Sequence, residues 1–109
     1  MIKLRVNGGM KMKRYLLLTL RHNSIYGDNY CLFWGNKEDK GGYNSNPYLA
    51  HHFTESEMQE MGGDDEEDIF LDIEKLGIPV EYPEETNKNV LCLVEKGTIN
   101  KLYRKHIRK

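Results

Sequence analysis

The residues of this chain that could do covalent or metal chemistry are two cysteines, Cys31 and Cys92, and four histidines, His22, His51, His52 and His106. A structural zinc site takes four ligands at tetrahedral geometry, usually as close pairs in sequence. Here the cysteines stand far apart, and adjacent His51 and His52 would point to opposite faces of a strand. A Cys/His nucleophile pair would use Cys31 with His51 or His52, but a catalytic thiolate needs an electropositive, partly exposed setting. Cys31 lies between Tyr30 and Leu32, and Cys92 between two leucines, so both read as reduced core residues. Carboxylates abound at Asp64, Asp65, Glu66, Glu67 and Asp68. Acid–base catalysis places two carboxyls in different, shielded environments, and a contiguous run does not. Gly8-Gly9 and Gly41-Gly42 lack the phosphate-loop and dinucleotide patterns. The chain is therefore read as non-enzymatic, with no catalytic residue, metal or cofactor.

Charge carries more information. The net charge of −1 over 109 residues hides a partition. Residues 1–53 hold eight Lys and Arg against three Asp and Glu; residues 54–87 hold one against thirteen; residues 88–109 hold seven against one. The bland reading is internal pairing of an acidic middle with two basic ends. The sharper reading is a docking surface, with Asp64 to Asp68, Glu55, Glu60 and Asp72 meeting the basic surface of a nucleic-acid-binding partner and imitating nucleic-acid phosphates. Trp34, Tyr43 and Tyr48 join this candidate contact set. They stand with Phe33 and His52 among Asn36, Asn44, Ser45 and Asn46, a mixture suited to a protein hot spot or a stacked base. Trp34 and Tyr43 could equally pack across a hairpin. One alternative is a nucleic-acid module whose basic C-terminal helix offers Lys101, Arg104, Lys105, Arg108 and Lys109, with Lys13, Arg14 and Arg21. The near-neutral balance argues against a dedicated one. Another alternative is a nucleotide or small-ligand module using Trp34 and Tyr43.

These residues need elements to position them. Residues 13–22 read as a central strand, with Tyr15, Leu17 and Thr19 on one face and Leu16, Leu18 and Leu20 on the other. Residues 30–35 follow as an antiparallel hairpin partner, and 43–48 as a short strand or ordered loop, with Pro47 unsuited to a central strand. Phe53-Thr54-Glu55-Ser56-Glu57-Met58 carries a capping box (Thr54 with Glu57) and a hydrophobic staple (Phe53 with Met58). That short helix stops at Gly62-Gly63. The acids 64–68 form a loop or lead into a second helix with Ile69, Phe70, Ile73 and Leu76 on one face and Gly77 as C-cap. Residues 78–82 read as extended, 83–87 as a turn and 89–95 as a further strand. Thr98 is expected to cap a last helix that turns Ile99, Leu102, Tyr103 and His106 to the core.

Residues 1–11 look unlike the rest. Asn7-Gly8-Gly9 can be encoded by a purine-rich, ribosome-binding sequence just upstream of Met12, so these residues read as a non-native or flexible extension before a single domain over 12–109. The competing reading makes Ile2, Leu4 and Val6 an edge strand. The whole predicts one α+β domain: a small antiparallel sheet of three to four strands with two or three short helices packed on one face. No apolar stretch reaches membrane-spanning length, and no signal-peptide pattern is present. A chain this small with an exposed edge strand can form a homodimer.

Phe33-Trp34-Gly35, Gly42-Tyr43 and Ala50 to Glu57, after the Leu-rich strand Tyr15–Leu20, resemble short, mostly uncharacterised proteins of phages and other mobile elements of Firmicute bacteria. The resemblance covers about residues 13–60 and rests on structural motifs. It implies a cytoplasmic accessory protein that binds and disables or redirects a host protein, such as a defence nuclease, and it transfers no functional residue.

Overall fold

A computed structural model describes residues 13–35, 42–77 and 92–108. The expected segments 1–11, 36–41, 78–82 and 83–87, residues 89–91 of the expected strand 89–95, and Lys109 lie outside them.

The sheet is built around β1 (Arg14–Thr19), whose six residues carry apolar side chains on both faces. β2 (Leu32–Trp34) pairs antiparallel with its C-terminal half, in the register Leu18 opposite Phe33. β3 (Tyr43–Asn44) adds to β2 with Tyr43 opposite Trp34. β4 (Phe53–Thr54) pairs with the N-terminal end of β1, Tyr15 facing Phe53. β5 (Asp68–Asp72) runs antiparallel along β1 from Thr19 to Tyr15. The result is a five-stranded antiparallel sheet with few, short helices, an α+β fold. Gly35 closes the β2–β3 hairpin: its N–H donates to the Gly42 carbonyl, and a Cβ there would sit 3.0 Å from that oxygen.

Period-two alternation along β1 produces two apolar clusters. Leu16 and Leu18 join Cys31, Phe33, Ala50, Leu71, Ile73, Ile99 and Ile107, with Tyr48 and Tyr103 against them. Leu17 joins Phe53 and Phe70, flanked by Tyr15, Trp34 and Met58. Phe53 and Phe70 meet edge to face, with centroids 5.5 Å apart.

α1 (Glu55–Glu60) starts as expected. The Thr54 hydroxyl accepts from the Glu57 N–H at 3.1 Å, and the Glu57 carboxylate accepts from the Thr54 N–H at 2.9 Å. Such a cap contributes about 1 kcal/mol. Phe53 and Met58 pack in the same cluster, as the staple requires. Gly62 and Gly63 then take positive φ, 87° and 76°, which turns the chain sharply back toward the sheet.

Three expectations are corrected. Residues 68–72 form β5 rather than a helix; only Glu74–Leu76 makes a short 3-10 turn, closed by Gly77 in the left-handed conformation. Pairing along the whole of β1 outweighs the helical spacing of Ile69, Phe70, Ile73 and Leu76. Second, Cys92 to Val94 are not strand; an isolated bridge joins Tyr30 to Glu95, and the Cys31 N–H donates to the Val94 carbonyl at 2.8 Å. Third, the last helix, α2 (Lys96–Tyr103), begins after Glu95 rather than at Thr98, because the bridge and the Lys96 N–H bond to Asn29 set its start. Arg104 ends it with φ 54°. Leu102 and His106 consequently face solvent, while Ile107 is buried, its N–H held by the Asn100 side chain at 2.7 Å.

Candidate functional site

The acidic run occupies the loop from Gly63 into β5. The Leu20 N–H donates to the Glu67 carbonyl, and the Ile73 N–H to the Arg14 carbonyl. Alternation then turns the main chain of 68, 70 and 72 outward, along the free edge of β5. Three polar groups close that edge. Asp64 Oδ1 accepts the Phe70 N–H at 2.8 Å, the Asp68 carbonyl accepts the Asp65 N–H at 2.9 Å, and the Asp72 carbonyl accepts the Tyr103 hydroxyl at 2.9 Å. Asp65 Oδ1 takes the N–H groups of both Glu67 and Asp68 at 2.8 Å. Those two bonds hold the Asp65 carboxyl below its ordinary pKa.

Asp68 is the buried member, 7% exposed. Its Oδ2 accepts from Arg21 Nε at 3.0 Å and its Oδ1 from Trp34 Nε1 at 3.3 Å. Arg21 also reaches Asp65 at 3.8 Å and Glu67 at 4.0 Å, and the Asp68 hydrogen bond raises the guanidinium pKa further. Lys105 holds Asp64 at 2.9 Å, and Lys13 reaches Asp72 at 3.9 Å. Basic residues from both ends of the chain thus reach the acidic middle. Glu66 and the Glu55 and Glu60 of α1 face solvent.

Between the end of α1 and the sheet lies an open cleft of about 410 Å³, lined by Leu17, Arg21, Trp34, Met61, Gly63, Asp65, Asp68 and Phe70. Trp34 is half-buried, its ring edge-on to Phe53 at 6.5 Å. Tyr43 is its cross-strand neighbour and packs against His22 at 5.0 Å. Tyr48 instead leans on the larger cluster on the opposite face of the sheet. The structure therefore brings Trp34 together with Asp65 and Asp68, and places Tyr48 elsewhere.

The amides near these aromatics serve the backbone. Asn44 Oδ1 accepts the Asn46 N–H, and Asn46 Oδ1 accepts the Tyr48 N–H. The Ser45 hydroxyl meets that of Ser24 at 2.7 Å in a buried pair. Of the basic C-terminal set, Lys101, Arg104 and Arg108 are exposed, and Lys105 is committed to Asp64. Cys31 is fully buried, and burial pushes its thiol up to about 12, outweighing the nearby charge of Lys96. Cys92 is half-buried and shifted upward by the same cause. His52 is held by the Pro47 carbonyl at 2.9 Å and His51 faces Glu57 at 3.3 Å. Among the described residues no group of three His, Cys, Asp or Glu could hold a metal ion, and no helix is long and apolar enough to cross a membrane.

Sequence reasoning missed Arg21 as the organiser of the loop and Met61 as a wall of the cleft. The excess of acid over base in the middle of the chain was the available signal for a cation arriving from elsewhere. No family model, curated protein or solved structure matches this chain.

Proposed function

We propose that this protein is a non-enzymatic interaction protein that docks its acidic face on a basic surface of a host protein and inhibits or redirects it. The observation that supports this reading is a shaped excess of negative charge. Residues 54–68 hold eight Asp and Glu and no Lys or Arg. Among the described residues, the cations paired with them are Arg21 and Lys105, with His51 beside Glu57. Asp64, Asp65 and Asp68 pin the loop, so Glu66 and the Arg21-paired Glu67 present their charge from a fixed backbone, beside the exposed Glu60 at the end of α1. Preorganisation of this kind lowers the ordering cost of association, and surface charge steers the encounter. The resemblance over residues 13–60 supports a phage or mobile-element origin and a cytoplasmic setting. A defence nuclease is one partner class whose nucleic-acid groove would match an acidic face.

Capture from a nuclease-treated Firmicute lysate tests this. The expected result is one stoichiometric protein, retained at low salt and released as salt rises. A bare bait under the same conditions would contradict the reading.

A further inference from the structure

The cleft beside the acidic loop has a lining that selects its occupant. Leu17, Phe70 and Met61 supply apolar walls, Trp34 an aromatic surface, and Asp65 and Asp68 two carboxylates, with Arg21 the cation in the lining. Charge decides between ligand classes. Arg21 is already met by three carboxylates, those of Asp65, Glu67 and Asp68. An anionic ligand seeking the guanidinium would be repelled by all three. A cation meets a net excess of negative charge instead.

The acceptor for it is also defined. Asp68 spends both oxygens, on Arg21 and on Trp34. Asp65 spends Oδ1 on two backbone N–H groups, whereas its Oδ2 is 3.8 Å from Arg21, beyond hydrogen-bond reach. Its side chain is 57% exposed and stays ionised at neutral pH. A long aliphatic stem suits the walls, and a charged head suits Asp65 Oδ2 and the aromatic ring.

We propose that this cleft receives an arginine or lysine side chain of the protein partner, with the stem against Leu17, Phe70 and Met61 and the charged head on Asp65 Oδ2 beside Trp34. The inference rests on the proposed docking reading and deepens it. Met61, an adaptable thioether 39% exposed, lies on the cleft wall.

Trp34 is the single tryptophan, so its emission reports the cleft. The probe is an acetylated, amidated Gly-Arg-Gly peptide titrated into the intact chain to about 50 mM, the range where single-side-chain affinities fall. A saturable change is expected, with none from Gly-Gln-Gly or from a nucleoside monophosphate. Asp65→Asn keeps the Oδ1 acceptor that holds the loop and removes the charge, and should weaken the arginine peptide roughly tenfold. Met61→Lys, at an exposed position, should weaken it comparably by repulsion. Asp28→Asn, at an exposed position outside the cleft lining, should leave the peptide response within about twofold. No saturable response to the arginine peptide, an equal response in Asp65→Asn, or saturation by the nucleotide would overturn the proposal. The peptide experiment needs no partner. A failed peptide titration beside successful lysate capture would refute the cleft alone, and a bare bait beside peptide binding would refute the docking reading.

Discussion

At the scale of single residues, Asp68 and Cys31 show how burial assigns roles. Asp68 joins Arg21 to Trp34 from a position 7% exposed. Asp68→Ala would leave the indole N–H without its acceptor and Arg21 without its main partner. Urea denaturation should show a loss of about 1–3 kcal/mol, the range for hydrogen bonds to a buried charge. An unchanged midpoint would mean that Asp68 is incidental. Cys31 is an acid whose folded pKa, about 12, stands above its unfolded value. The unfolded thiol ionises first, so stability should be complete below about pH 8.5 and fall as pH rises from there toward 12. Native protein at pH 8 should accordingly leave Cys31 unlabelled by iodoacetamide, with labelling on unfolding. Rapid native labelling would reopen the nucleophile reading.

At the scale of elements, the acidic segment does two jobs. Asp64 and Asp65 close the outer edge of β5, which would otherwise offer unpaired N–H and C=O groups to another chain. Asp64→Ala should expose the Phe70 amide and speed its hydrogen exchange about tenfold or more, read by NMR, with the amides facing β1 little changed. Uniform acceleration across the sheet would point to global loosening instead. The same segment marks the boundary of what the amino-acid pattern could tell. The alternation Tyr15, Leu17, Thr19 against Leu16, Leu18 forecast the two-sided strand, and Thr54 with Glu57 forecast the helix start, because both signals are local. Asp-Ile-Phe-Leu-Asp satisfies helical and strand spacing alike, and only its pairing with β1 decides. The start of α2 is set by the bridge to Tyr30, a contact across 65 residues of chain that no local cap signal encodes. Trp34 stood out as a candidate contact residue from its type. Its partner Asp68 was legible only as one acid among five, since burial on the sheet separates it from Glu66.

At the scale of the molecule, a chain of net charge −1 carries its charges unevenly, with an acidic middle between two basic ends. Arg21 and Lys105 go to the loop, Lys13 reaches Asp72, and Lys101, Arg104 and Arg108 remain exposed near the C-terminus. The exposed pairs contribute little stability individually, so their value lies in fixing where charge is presented. In the proposed function, Asp64, Asp65 and Asp68 hold the loop while Glu60, Glu66 and Glu67 recruit the partner. The most direct test captures partners from nuclease-treated lysate with the native chain beside a Glu60→Gln, Glu66→Gln, Glu67→Gln variant, both checked for an unchanged unfolding midpoint. The expected result is a stoichiometric host protein on the native chain, reduced about tenfold or more on the variant, with a shallower salt dependence. Equal capture by the two chains would contradict it.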